Sequence, residues 1–194
     1  VPAPSGVVTI PNTPTKPVIL NGTIAVVKSV KVENGGQLTI NAGGSLSIDG
    51  SSGLGLHNQG TVNNNGNLTI GAAIGTGGIN LQNEGTFNNN GGEIKLDRSP
   101  SMGIYNVGGT FNNAAKITIG ATASTGDNGL YNLGTFTNNT GGEINIDRAS
   151  LYSLNNQSTF FNYANINIGG TVSGGQFGLF ANANFTNGSG GDLR

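Results

Sequence analysis

One five-residue phrase returns along this chain at an almost fixed interval, and that interval restricts the fold more than any other feature. Gly60-Thr61-Val62-Asn63-Asn64 comes back as Gly85-Thr86-Phe87-Asn88-Asn89, Gly109-Thr110-Phe111-Asn112-Asn113 and Gly134-Thr135-Phe136-Thr137-Asn138. It decays to Ser158-Thr159-Phe160-Phe161-Asn162 and Ala183-Asn184-Phe185-Thr186-Asn187, with spacings of 25, 24, 25, 24 and 25 residues. A period of this length marks units that cannot bury an apolar face alone and do so by stacking on their neighbours.

Each repeat holds two further strand-like units. One carries apolar residues two apart, which places them on one face of a strand: Leu68 and Ile70, Ile94 and Leu96, Ile117 and Ile119, Ile144 and Ile146, Ile166 and Ile168. The other precedes each Gly-Thr-Phe as Leu56-His57-Asn58, Leu81-Gln82-Asn83, Ile104-Tyr105-Asn106, Leu130-Tyr131-Asn132 and Leu154-Asn155-Asn156. No window has an apolar stripe at helical spacing, and the Gly and Asn density disfavours helices. A propeller blade needs roughly 40 or more residues, which this period does not supply. The expected fold is therefore all-β: a right-handed parallel β-helix, or β-solenoid, with three short strands per coil and about 24–25 residues per coil, the hand following from the general rule for parallel crossovers.

Stacking assigns roles to the recurring residues. Equivalent positions in adjacent coils lie ~4.8 Å apart. Val62, Phe87, Phe111, Phe136, Phe160 and Phe185 then form one apolar row inside the rod. Asn64, Asn89, Asn113, Asn138, Asn162 and Asn187 form an amide ladder, each side chain donating to the next at a corner. A finer period of about two coils also appears. One row reads Asn67, Glu93, Lys116, Glu143, Asn165 and Asp192, and another reads Asp49, Gly71, Asp97, Gly120, Asp147 and Gly169. Acids on alternate coils avoid a carboxylate pair at one strand spacing, and Lys116 is expected to bridge Glu93 and Glu143.

Composition narrows the functional classes. The chain has 194 residues, 35 of them glycine, no cysteine or tryptophan, 9% charged residues against the roughly 25% of ordinary globular chains, and a formal net charge of −1. No basic run exists, so nucleic acid is not an expected partner. No apolar run approaches the ~20 residues of a spanning helix, so membrane insertion is not expected either. No catalytic residue, metal site or cofactor is assigned. Glu93, Lys95 and Asp97 read as outward residues of one strand, but at ~3.3 Å per residue the two acids stand ~13 Å apart, too far for paired-carboxylate glycoside chemistry. Asp97-Arg98 and Asp147-Arg148 read as solvated structural pairs. His57 has no carboxylate near it in sequence and reads as an exposed strand residue.

The segment Val30-Lys31-Val32-Glu33-Asn34-Gly35-Gly36-Gln37-Leu38-Thr39-Ile40-Asn41-Ala42-Gly43-Gly44-Ser45-Leu46-Ser47-Ile48 resembles the coils in the β-helical regions of large bacterial surface adhesins and Bacteroidota extracellular proteins. The Gly-Thr-Phe-x-Asn-Asn coils resemble the same class, and the likeness covers most of residues 23–194. The resemblance implies a secreted or cell-surface bacterial protein, often multidomain and adhesive.

Residues 1–22 are expected to form an irregular first coil or cap, and 23–194 one continuous solenoid. Because Gly190-Gly191-Asp192-Leu193-Arg194 aligns with Gly91-Gly92-Glu93-Ile94-Lys95, the sequence suggests a piece of a longer solenoid, or a subunit that associates end to end into filaments. The leading functional expectation is a structural or adhesive module, with Tyr105 and Tyr131 placed to meet a glycan or other cell-surface ligand. One alternative is ice binding by the outward row Thr61, Thr86, Thr110, Thr135 and Thr159. The other is a polysaccharide-active enzyme.

Overall fold

The computed structural model of the chain describes residues 6–12, 18–22, 24–172 and 174–194. Residues 1–5 and 13–17 of the expected N-terminal coil, together with Thr23 and Ser173, lie outside the described residues. Among the described residues every regular element is a strand, and the strands fall into three sheets of eight. All pairings are parallel and in register from one coil to the next. The protein is thus a β-solenoid with three strands per coil. We call the sheets A, B and C in the order in which the chain visits them. Val7–Ile10 and Val18–Leu20 pair onto Ser29–Val32 and Gln37–Ile40, so the stacking already includes strands before residue 23.

The interior follows from which residues alternate inward. Sheet C strands point two aliphatic side chains inward per coil, as in Ile117 and Ile119 or Ile144 and Ile146, all fully buried. Strands of sheets A and B point in one apolar residue and, at the strand's end, one asparagine. Leu81 and Asn83 in sheet A and Phe87 and Asn89 in sheet B are fully buried. Phe87, Phe111, Phe136, Phe160 and Phe185 stack with ring centroids 4.7, 4.6, 4.8 and 5.1 Å apart. The first three pairs are within 6° of parallel, a near face-to-face geometry that isolated rings avoid and that the strand spacing imposes.

The expected ladder is present: Asn64, Asn89, Asn113, Asn138 and Asn162 each donate Nδ2–H to the Oδ1 of the next, at 2.7–2.8 Å. Sheet A carries a second one, Asn58–Asn83–Asn106–Asn132–Asn156, with the same polarity and spacings. Members of both ladders also donate to a main-chain carbonyl across the corner, as Asn83 does to Thr110 and Asn138 to Asn165. At a corner the chain leaves the ladder of strand bonds, and the amides take up groups that would otherwise be buried unpaired. Both ladders begin in the third coil, because Val32 and Ile40 occupy the equivalent positions one coil earlier. Asn64 Oδ1 accordingly faces Ile40 and is buried without a partner.

Replacing one ladder amide should cost more than its size implies. Asn113→Ala removes the acceptor of Asn89 and the donor to Asn138, with a penalty of ~1–3 kcal/mol per orphaned group. Phe111→Ala should lose ~3–5 kcal/mol through the cavity it leaves. Thr110→Ala, one residue before that phenylalanine and outward, should stay within ~0.5 kcal/mol. Denaturant unfolding of the three variants checks this order.

Candidate functional site

With the interior filled by side chains, chemistry can only reside on the three outer faces and their corners. The corners explain the two-coil period. Between sheets C and A, residues 71–78 and 120–127 form eight-residue loops, residues 169–172 and 174–176 stand at the equivalent place two coils on, and between them 97–101 and 147–151 form five-residue turns. Between sheets B and C the order is reversed. The short connections 65–66, 114–115 and 163–164 belong to coils with a long loop, and 90–92 and 139–142 to coils with a short turn. The two lengths compensate, which keeps each coil at 24 or 25 residues.

Asp97 and Asp147 open these turns, directly after the sheet C strands Glu93–Leu96 and Glu143–Ile146, and the structure corrects their expected role. They are not outward and do not pair with the arginines that follow them. Asp97 is 8% exposed and Asp147 5%, and each folds in to accept hydrogen bonds from the long loop of the next coil. Asp97 Oδ1 takes the Thr122 and Ala123 amides at 2.9 and 3.1 Å, and Asp147 takes the Thr171 amide and hydroxyl. Asp49 does the same for Ala73, Ile74 and Gly75. Arg98 and Arg148 reach the other way. Arg98 Nη1 donates to the Gly71 and Ala72 carbonyls, and Arg148 Nη1 to those of Gly120 and Ala121. The loop 120–127 is therefore held at its amides by Asp97 and at its carbonyls by Arg148. Arg98 and Arg148 take φ of 52° and 50°, the only described non-glycine residues at positive φ, at the position where Gly50 stands two coils before Arg98 and four before Arg148.

The outward row of sheet C brings Glu93, Lys116 and Glu143 into register. Lys116 Nζ lies 3.6 Å from Glu93, but Glu143 accepts from Asn145 at 2.7 Å instead, so the expected bridge between two acids reaches only one. Glu93 also holds Lys95 at 3.0 Å and the Thr118 hydroxyl at 3.0 Å. Burial pushes its carboxyl up, but these hydrogen bonds and the two lysine charges prevail and leave it below its ordinary value. A shallow cleft of about 280 Å³ lies over this sheet, lined by Lys116, Glu143, Asn145 and Asn167 and edged by Ala121 and Thr171 of the long loops.

On sheet A the outward row runs His57, Gln82, Tyr105, Tyr131 and Asn155. His57 is half-buried and paired, correcting the expectation of an isolated exposed ring: its Nε2 lies 2.8 Å from Glu84, at the corner one coil on. Glu84 also accepts from Gln59 and Gln82. Tyr105 and Tyr131 stack on each other, with centroids 5.5 Å apart and planes 18° apart. Their shared faces are closed to a ligand, so they present ring edges and hydroxyls outward. Tyr152 contacts Phe177 and Phe180 further along the same sheet.

On sheet B, Thr61, Thr86, Thr110, Thr135 and Thr159 stand in register on the outer face. Beside them Asn112 donates to Asn88, and Asn88 to Asn63, both at 2.9 Å, opposite in direction to the buried ladders. Sequence reasoning anticipated the threonine row but not this outer ladder, although the asparagines recur at a fixed offset.

Among the described residues no group of three or more His, Cys, Asp or Glu is placed to hold a metal ion, and no helix is long and apolar enough to cross a membrane. The chain's class is defined by its coils, a three-sheet parallel β-solenoid built in coil pairs. Comparison with family models, with curated proteins and with solved structures finds no match in any of the three.

Two outcomes test the corner chemistry. A side chain at positive φ costs roughly 1–2 kcal/mol relative to glycine. Arg98→Gly should therefore be more stable than Arg98→Ala by about that amount, both having lost the same carbonyl contacts. Thermal unfolding of the two variants compares them directly. At the Glu84 corner, the Gln59 amide lowers the carboxyl's pKa, burial opposes it, and His57 and Gln82 lower it further. A carboxyl with a lowered folded-state pKa contributes stability that is present above the unfolded value and lost as pH falls through the folded one. Stability should drop on acidification below the ordinary value of 4.5, with a smaller drop in Glu84→Gln, as measured by unfolding at stepped pH.

Proposed function

We propose that the chain is a non-catalytic structural and adhesive module of a secreted or cell-surface bacterial protein. One observation carries this reading: all three sheets keep strict register, so the outward positions of each sheet fall in straight rows along the rod. Where a residue type recurs along a row, as threonine does on sheet B and tyrosine in two adjacent coils of sheet A, the row offers the same contact repeatedly. A ligand with repeating units gains avidity from simultaneous contacts without any one being strong. The interior supports the mechanical half of the role, because the buried ladders and the phenylalanine stack tie each coil to the next from the third coil onward.

The adhesive contact assigned to Tyr105 and Tyr131 is a hydrogen-bonding one, made by the two hydroxyls, since each ring turns one face to the other. The ligand class is a glycan or another polyhydroxylated cell-surface polymer. Binding of the intact chain to a glycan array and to bacterial or host cells tests the reading. Wild type should bind, and Tyr105→Phe/Tyr131→Phe, which keeps the stack and removes both hydroxyls, should lose most of the signal. Equal binding by the two proteins would refute the tyrosine assignment, and absence of binding by wild type would refute adhesion while leaving a spacer.

A further inference from the structure

The three outer faces differ sharply in charge. The sheet C face carries Glu93, Lys95, Lys116 and Glu143, and the sheet A face carries Lys31 and His57. The seven sheet B strands from Gln37–Ile40 to Phe185–Asn187 contain no charged residue. Their outward positions form two parallel rows. One is Gln37, Thr61, Thr86, Thr110, Thr135 and Thr159; the other is Thr39, Asn63, Asn88, Asn112, Thr137, Phe161 and Thr186. Apart from Phe161, both rows are hydroxyls and amides.

The face is also stiff. Threonine is β-branched and holds few χ1 rotamers. The amides of Asn63, Asn88 and Asn112 are fixed by their own hydrogen bonds. No hydroxyl of the five-threonine row has a hydrogen-bond partner within the protein among the described residues, so these groups turn to solvent with their backbone positions set by the sheet. A preordered surface lowers the entropic cost of ordering whatever binds it.

The spacing identifies the ligand. Hydroxyls along the five-threonine row recur at ~4.8 Å, the strand separation. In tetrahedrally bonded water, two O–H···O bonds of ~2.75 Å place second-neighbour oxygens ~4.5 Å apart. Hydroxyls, which both donate and accept, can therefore stand in for alternate oxygens of such a network over several coils before the mismatch of ~0.3 Å per coil accumulates. Fixed charges would break the pattern by orienting water around themselves, and this face has none. We infer that the outer face of sheet B is a binding surface for crystalline water, centred on Thr86, Thr110 and Thr135 with Asn88 and Asn112 beside them. This activity is separate from the adhesive reading, which concerns sheet A.

The test uses the whole chain. Wild type should show thermal hysteresis and should be enriched in slowly grown ice relative to the liquid. Thr110→Lys/Thr135→Lys, and independently Asn112→Lys, should reduce both several-fold, with circular dichroism confirming an intact fold. Thr118→Lys, outward on sheet C, should leave both unchanged, and Phe161→Thr should raise them by extending the second row. No hysteresis and no enrichment by folded wild type overturns the inference. So does equal loss in the sheet B and sheet C variants, which would show a general effect of added charge. Glycan binding measured on the same variants keeps this outcome distinct from failure of the adhesive reading.

Discussion

Every coil of this protein lies one strand spacing from its neighbours, in register, so most residues meet their own counterpart at ~4.8 Å. This like-on-like constraint selects the composition. Phenylalanine, isoleucine and leucine gain from stacking on themselves. Asparagine gains too, because its amide is both donor and acceptor and can bond to a copy of itself without end. Threonine is at least neutral. Charged side chains are the exception, since like charges directly opposite repel. A low content of Asp, Glu, Lys and Arg thus follows from the stacking itself, and the charges that remain are placed where the repeat alternates.

The alternation of corner lengths is what makes those placements possible. A strictly one-coil repeat would set Asp97 against another Asp. Because the neighbouring coils carry Gly71 and Gly120 there, each buried carboxylate meets backbone amides of a long loop instead. Gly71 and Gly120 are at positive φ, and a Cβ on either would come within 1.9 Å of the Asp97 or Asp147 carbonyl oxygen. The glycine is thus required both by the loop's own backbone and by the acid-bearing turn packed against it. The coil pair, rather than the coil, is the unit that satisfies its own polar groups.

Much of this was legible in the sequence because a repeat prints register directly. The spacing of the Gly-Thr-Phe phrase gives the pairing of Phe87 with Phe111 and of Asn89 with Asn113, and alternation within a strand gives their side of the sheet. What sequence could not give was direction at the corners. Inward Ile94 and Leu96 alternate with outward Lys95, and Asp97 sits two residues beyond Lys95, so simple alternation extends it outward. The arginine after it reverses the chain by taking a positive φ that only a glycine would have announced. Lys116 failed as a bridge for a similar reason: its row was correct, but a flexible side chain chooses among partners, and Asn145 had already engaged Glu143. The Leu-x-Asn units contained the second ladder in plain form, and His57 found its carboxylate one coil away, at a distance in sequence of 27 residues.

The same register that makes the interior uniform makes the exterior divisible. Inside, all three sheets must contribute to one column of contacts, so a substitution in any coil is felt by the coils above and below. Outside, each face is set apart from the other two by a corner and constrained chiefly by the stacking of its own rows. One face can therefore carry ion pairs, another aromatic hydroxyls, and a third uncharged hydroxyls and amides, without conflict in the core. A row also fixes spacing far more tightly than it fixes chemistry, since the strand separation is invariant while the outward residue is free. Recognition by such a surface is accordingly selective for the repeat of its ligand first and for its functional groups second. That order favours targets that are themselves periodic, whether polymers or lattices, over single small molecules that would need a cavity this filled rod does not build.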